Sequence, residues 1–220
     1  MTRGILIAGD ESSLFSAVAA EAVTRVDSFA IAMIPNRFHM SDGGLKTEIP
    51  ERAIPLSWNP ARSISARTLV FAAENRMEHI HDAILICSPP AIYKNAETLV
   101  PEEIEILVND HIKGWFLLIR ELVHYFRRVG TGSLSLVEDG ITKHRDKNYQ
   151  VDILGQAATA SFRAFGQGIL ASSQNEPFNV MGFTGSEKEA KEKIAAWLFK
   201  IIDQNTKKDS GRWHKYSRFF

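Results

Sequence analysis

The sequence has little that would tie it to an oxidising compartment, a nucleic acid or a membrane. Its single cysteine, Cys87, cannot form a disulfide within the chain, which suits a reducing compartment. Lys plus Arg and Asp plus Glu both total 26, so no net charge attracts nucleic acid or an anionic membrane surface. No apolar run reaches the ~20 residues of a membrane span, and the apolar stretch before Asp10 is too short for a signal-peptide core. We therefore expect a cytoplasmic protein that binds neither nucleic acid nor membrane.

Short apolar runs alternate with amphipathic segments along almost the whole chain. Buried strands are predicted at residues 4–8, 29–34, 53–57, 82–87, 132–137 and 178–182, with a weaker candidate edge strand at 213–219. Helical periodicity predicts helices at residues 12–26, 63–77, 101–129, 152–173 and 186–203. The segment 36–52 contains two adjacent glycines and Pro50 and has no clear period, so it predicts a loop or a shortened helix.

This alternation of strands and helices predicts the fold class. Parallel strands need long crossover connections, and helices of this length supply right-handed crossovers that cover both faces of a parallel sheet. We find no internal repeat, low-complexity tract or interdomain linker in the sequence. The sequence therefore predicts an α/β fold with a doubly wound parallel sheet of six to seven strands. We expect one domain over residues 1–220, with a tail from about residue 204.

Five segments carry a further signal in their joint order and spacing: ILIAGDESSLFSAVAAEAV, DAILICSPP, DHIKGWFLLIREL, GSLSLVEDG and DILGQAATASFRAFGQGIL. They span roughly residues 4–182. The short-chain dehydrogenase/reductase family has, in this order, a glycine-rich phosphate loop, a strand ending in Asn-Asn-Ala-Gly, a helix with a catalytic Asn, a strand that delivers a catalytic Ser and a helix with Tyr-x-x-x-Lys. The chain resembles this family. The resemblance implies a single Rossmann-like domain, NAD(P) binding and oxidoreductase activity.

The phosphate loop that this resemblance implies is altered. Only its first glycine is kept, as Gly9, and the second and third glycine positions fall on Ser13 and Phe15. Glycine lets the backbone approach a pyrophosphate, whereas Phe15 places a ring near the helix N terminus that would receive it. Asp10 and Glu11 add negative charge there, which disfavours a dinucleotide. The alternative is that Phe15 is a core residue that closes an unused groove.

Two further positions correspond to cofactor contacts in the family. Arg37 follows the second strand, where an Arg contacts the 2′-phosphate in NADP-binding members, although a solvated surface Arg is the alternative. Ser88 lies where the family's residues flank the nicotinamide. It precedes two prolines, which remove backbone donors and stiffen the segment.

The resemblance places the family's catalytic Asn, Ser, Tyr and Lys on His111, Asp139, Asp152 and Gln156. A shift of one residue would put Glu138 in the Ser position. An aspartate has an ordinary pKa of about 3.9, against about 10 for a phenol, so Asp152 is deprotonated at neutral pH and cannot donate the proton. Gln156 has no charge with which to lower a neighbour's pKa. We therefore expect the usual reduction of a carbonyl to be lost.

These substituted residues leave other chemistry open. His111, Asp139 and Asp152 would suit a divalent metal if they converged on one cleft, or His111 and an aspartate would form an acid–base pair. The favoured alternative is that they are polar residues of a disused cleft, and we predict no metal. The preferred function is that of a catalytically impaired pseudoenzyme without a cofactor, a ligand-sensing or protein-interaction module whose ligand is unknown. The alternative is an NAD(P)-dependent oxidoreductase with an atypical active site.

Self-association is expected because, in the resembling family, the long helix and the Tyr-Lys helix commonly pair with their copies. Apolar and small residues repeat at helical spacing on both segments here: Trp115, Leu118, Leu122 and Phe126 on the first, and Ala157, Ala160, Ala164 and Gly168 on the second. We predict a homodimer through helices 101–129 and 152–173. The alternative is that each stripe faces its own sheet.

Overall fold

Seven strands form one fully parallel sheet in the computed structural model, which describes residues 3–26, 29–34, 49–140, 151–204 and 206–217. The strands are β1 (Ile5–Asp10), β2 (Phe29–Ile34), β3 (Ala53–Pro55), β4 (Asp82–Cys87), β5 (Ser133–Glu138), β6 (Asn179–Thr184) and β7 (Arg212–Lys215). Their order in the sheet is β3-β2-β1-β4-β5-β6-β7. The predicted parallel α/β fold is confirmed, including the edge strand β7.

Helices cover both faces of the sheet. They are α1 (Ser13–Val23), α2 (Ser63–Met77), α3 (Pro101–Leu107), α4 (Gly114–Val129), α5 (Ile153–Ser172) and α6 (Lys191–Gln204), with a π-helical turn at Val108–Lys113 between α3 and α4. Helices α1 and α6 pack together on one face, and α2, α4 and α5 lie on the other. None of the described helices is long and apolar enough to span a bilayer.

Strand β1 explains why the core has two halves. Successive side chains of a strand point to opposite faces. Ile5 and Ile7 therefore pack among the residues of α1 and α6, whereas Leu6 and Ala8 pack among those of α2, α4 and α5. All six residues of β1 are buried, as the uninterrupted apolar run predicts for a parallel strand that is covered on both faces.

A buried ion pair joins the carboxyl ends of the last strands. Glu138, at the end of β5, is fully buried and pairs with Arg163 of α5. Thr184 Oγ1 on β6 donates to Glu138 Oε1 over 2.5 Å, and Trp213 Nε1 on β7 donates to Thr184 Oγ1 over 2.8 Å. Gly182 leaves room for the indole, since a Cβ there would lie 2.3 Å from Trp213 Cε3. The side chain of Glu138 thus braces the sheet.

The predicted helix 101–129 is corrected in its middle. The chain makes a π-helical turn at residues 108–113, which no apolar periodicity indicates. The turn brings Asp110 and His111 into the interior, and Gly114 lets the next turn approach the segment after β3. A Cβ on Gly114 would lie only 2.4 Å from Cβ of Pro60.

Two other predictions concern the last helix and the segment 36–52. The last helix begins at Lys191 rather than at residue 186, because the amides of Lys193 and Ile194 bond the carbonyl of Ala190. Most of the segment 36–52, with Arg37, lies outside the described residues.

The apolar stripe predicted on helix 101–129 faces the chain's own sheet, as the alternative interpretation of this stripe has it. All four of its residues are buried in the core: Trp115, Leu118, Leu122 and Phe126. The large apolar side chains exposed on this segment are instead Ile104, Val108 and Phe116. All four small residues predicted on the other helix are exposed: Ala157, Ala160, Ala164 and Gly168.

Candidate functional site

A cleft of about 340 Å³ opens at the carboxyl ends of β1, β4 and β5. In an open α/β sheet, ligands bind at this edge, where the strand order reverses. Here the reversal lies between β1 and β4. Polar side chains dominate the lining, namely Ser13, Ser88, Tyr93, Asp139, Asp152, Gln156, Thr159, Glu187 and Lys191.

Three of the four predicted catalytic positions line this cleft. They are Asp139, which follows β5, and Asp152 and Gln156 at the start of α5. Asp139 Oδ1 accepts a hydrogen bond from Lys191 Nζ over 2.5 Å, and this ion pair ties β5 to the start of α6. Asp139, rather than the neighbouring Glu138, faces the cleft, because Glu138 points into the core.

Asp152, which the resemblance aligns with the family's tyrosine, binds backbone amides. Its Oδ1 accepts hydrogen bonds from the amides of Gly155, at 2.9 Å, and Ile92, at 3.1 Å. The first bond caps α5, and the second ties the segment after β4 to that helix. Burial raises the pKa of Asp152 above its usual value despite these two donors. Its carboxylate is therefore committed to backbone amides.

Phe15 does not line the cleft. Its side chain is fully buried among the residues that α1 and α6 enclose with the sheet. The ring fills the space beside Gly9, where a Cβ would lie 2.9 Å from Phe15 Cδ2 and 2.8 Å from the carbonyl oxygen of Ile86. The absence of a side chain at Gly9 therefore accommodates the chain's own core. The interpretation of Phe15 as a core residue agrees with this packing.

Solved structures of other proteins have the same architecture. A 3-ketoacyl-(acyl-carrier-protein) reductase from Brucella melitensis, complexed with NADH, aligns with a TM-score of 0.74 and 13% identity over 97% of this chain and 96% of that one. A short-chain dehydrogenase from Mycobacterium smegmatis aligns with a TM-score of 0.74 and 12% identity, covering 99% and 93%. The chain has the short-chain dehydrogenase/reductase fold. No family profile matches the sequence, and no curated protein is similar to it in sequence.

Within the short-chain dehydrogenase/reductase fold, His111, which the resemblance aligns with the family's Asn, is buried and does not line the cleft. It is 3% exposed, and its Nδ1 is 2.9 Å from Oδ1 of the buried Asp10. Burial alone would lower the pKa of His111, but the charges of Asp10 and Asp110 outweigh burial and raise the pKa above 6.5. His111, Asp139 and Asp152 therefore do not meet as a ligand set. The described residues contain no group of three His, Cys, Asp or Glu side chains placed to hold a metal ion.

Sequence reasoning missed several residues of the cleft. Tyr93 comes from the segment after β4, where Ser88 was predicted, and Lys191 and Glu187 come from the segment after β6. Neither segment carries a residue of the family's reaction, so the resemblance did not point to Tyr93, Glu187 or Lys191. The topology would have found them, because the carboxyl ends of parallel strands meet at one edge of the sheet.

Proposed function

We propose that this chain is a cytoplasmic, catalytically impaired protein of the short-chain dehydrogenase/reductase fold, whose cleft binds a small polar ligand for sensing or for interaction with another protein. The observation that carries the proposal is the position of Asp152. A family member needs a phenol there to transfer a proton to or from the substrate. Here a carboxylate caps α5 and binds two backbone amides instead. We infer that the chain lacks the residue that donates the proton in the family's reaction.

The structure at the start of α1 supports the part of the proposal that concerns the cofactor. A dinucleotide needs an open backbone beside the first helix, so that its diphosphate reaches the amides there. The ring of Phe15 packs in the core behind Gly9, and at the start of α1 the amide of Phe15 already donates to Ser12 Oγ over 3.1 Å. The described phosphate-loop residues do not fit a diphosphate in this conformation. We propose that the chain binds no NAD(P).

The charge of the lining indicates the class of ligand. Among the described residues of the cleft, three carboxyl groups (Asp139, Asp152 and Glu187) face one ammonium group, that of Lys191. An anionic ligand would meet net repulsion, whereas hydroxyl or amino groups would find acceptors. We therefore expect a neutral or cationic polar compound.

One observation favours the alternative of an NAD(P)-dependent oxidoreductase with an atypical site. Tyr93 and Lys191 line the same cleft and would offer a phenol and an ammonium group from new positions. In that case Tyr93 would transfer the proton in place of the residue at position 152. A bound dinucleotide would supply the hydride.

An assay of turnover separates these two functions. The chain is incubated with a panel of ketones and alcohols together with NADH, NADPH or their oxidised forms, and the absorbance of the reduced nicotinamide is followed. We expect no rate above the blank, since neither the cofactor loop nor the position of the proton donor is intact. Turnover that is lost in Tyr93→Phe but kept in the control Tyr216→Phe would establish the oxidoreductase instead.

Association with a second copy forms the other part of the proposal. The small residues Ala157, Ala160, Ala164 and Gly168 are exposed along α5, and a Cβ on Gly168 would meet nothing within 4 Å. Beside them, Phe116 of α4 stacks on Phe165 of α5 with ring centroids 4.1 Å apart and remains partly exposed. A flat face of small and aromatic side chains allows close approach of another helix pair. We propose that α4 and α5 pair with their copies across this face.

A further inference from the structure

A carboxyl group and an imidazole lie buried next to the cleft. Asp10 ends β1 and is 4% exposed, and His111 lies on the π-helical turn and is 3% exposed. Their nearest atoms, Asp10 Oδ1 and His111 Nδ1, are 2.9 Å apart. Within the described part of the chain, neither of these atoms has a hydrogen-bond partner of good geometry. The contact is therefore mainly electrostatic, and it is an ion pair only when His111 carries its proton.

The second oxygen of Asp10 holds a wall of the cleft. Asp10 Oδ2 accepts a hydrogen bond from the amide of Ser88 over 2.7 Å. Ser88 begins the segment 88–93, of which Ser88, Pro89, Ala91 and Tyr93 line the cleft. Pro89 and Pro90 have no N–H, so the amide of Ser88 is the donor that can anchor this end of the segment. The other end is anchored by the bond from the amide of Ile92 to Asp152.

We propose that Asp10 and His111 form a positioning pair, in which the His111 cation orients the Asp10 carboxylate so that it holds Ser88 and with it the 88–93 wall of the cleft. The inference deepens the proposed function, because it assigns control of the ligand cleft to two residues that do not touch the ligand. When His111 loses its proton, the carboxylate of Asp10 is left buried without its counter-charge, which is strongly unfavourable. The hydrogen bond from the amide of Ser88 to Asp10 then no longer holds the wall in a fixed position.

The direction of the pH dependence follows from the groups around His111. Asp10 faces it from β1 and Asp110 from its own turn, and both favour the cation. Cys87 on β4 stays neutral, because burial and the charge of Asp10 raise the pKa of its thiol well above the usual value. The pKa of His111 is raised in the folded chain, so the pair is intact at and below pH 6.5. It is lost as the pH rises through the raised value.

Nuclear magnetic resonance of the ¹⁵N-labelled full chain tests the pair without any ligand. The imidazole nitrogens of His111 and the amides of Ser88, Ala91 and Val180 are followed from about pH 5 to pH 9. We expect His111 to titrate above pH 6.5, and the amides of Ser88 and Ala91 to shift with the same midpoint. The amide of Val180 binds Ser210 Oγ at the far end of the sheet and should not move with them.

Two variants separate positioning from simple support of the fold. In Asp10→Asn the amide oxygen still accepts from Ser88, but the amide signal of Ser88 should no longer titrate, and the midpoint of His111 should fall below 6.5. In His111→Gln the amide of Ser88 should exchange with solvent roughly tenfold faster, whereas the exposed control His124→Gln should leave it unchanged.

The outcomes separate this inference from the proposed function. An imidazole of His111 that stays neutral from pH 5 to pH 8, or an amide of Ser88 that ignores its titration, overturns the positioning pair. Neither result bears on whether the cleft binds a ligand. Conversely, turnover of a carbonyl substrate would overturn the proposed function and leave these titrations unaffected.

Discussion

Phe15→Ala is expected to lower the free energy of unfolding by about 3–5 kcal/mol, the usual cost of deleting a fully buried phenyl ring. The ring has no solvent exposure and packs between α1, α6 and the sheet. Its loss leaves a cavity that the close approach of β4 to Gly9 prevents from collapsing fully. Urea denaturation followed by circular dichroism measures the change.

Phe71→Ala is the matched control for this loss. Phe71 also lies on a helix, but its side chain is 62% exposed, so its removal should change stability by less than about 0.5 kcal/mol. If the two variants lose the same stability, Phe15 is not a core residue.

Ala164→Glu is expected to weaken the proposed homodimer roughly 100-fold or more. The substitution places a carboxylate from each copy at a close helix contact, where burial of an unpaired charge costs several kcal/mol, and each 1.4 kcal/mol is a factor of ten in affinity. Ala164 is exposed in the single chain, so the folded protomer itself should tolerate the change. Sedimentation equilibrium at micromolar concentrations measures the effect.

The matched control for the dimer is Ala196→Glu. Ala196 is likewise an exposed alanine of a helix, but it lies on α6 at the opposite face of the sheet. This variant should remain as dimeric as the unmodified chain. A monomeric mass for the unmodified chain, or dissociation of both variants alike, would contradict an interface through α4 and α5.

The sequence predicted the central strands well because most of their residues are apolar and buried on both faces of the sheet. For example, Asp82–Cys87 was predicted to the residue, and α2 likewise begins and ends where expected. The π-helical turn at residues 108–113 was not predictable from periodicity. It lies beside the close approach of Gly114 to Pro60, two residues that the topology brings together.

The candidate site was only partly predictable for a related reason. The alignment with the family's motifs correctly predicted that Asp139, Asp152 and Gln156 lie close together. The three residues line the cleft because the fold fixes the end of β5 and the start of α5. The alignment did not reveal that Asp152 binds two backbone amides, nor that His111 lies buried against Asp10. The bond from Ile92 to Asp152 and the contact between Asp10 and His111 join residues far apart in the chain, and no local pattern encodes them.

The most direct test of the account is a calorimetric titration of the purified chain with NADH and with NADPH. The central claim is that the start of α1, where the amide of Phe15 is already bound by Ser12 Oγ, offers no seat for a diphosphate. We predict only heats of dilution up to about 1 mM nucleotide, a range in which binding worth about 4 kcal/mol would be detected. Saturable binding of either nucleotide with a micromolar dissociation constant would contradict the claim.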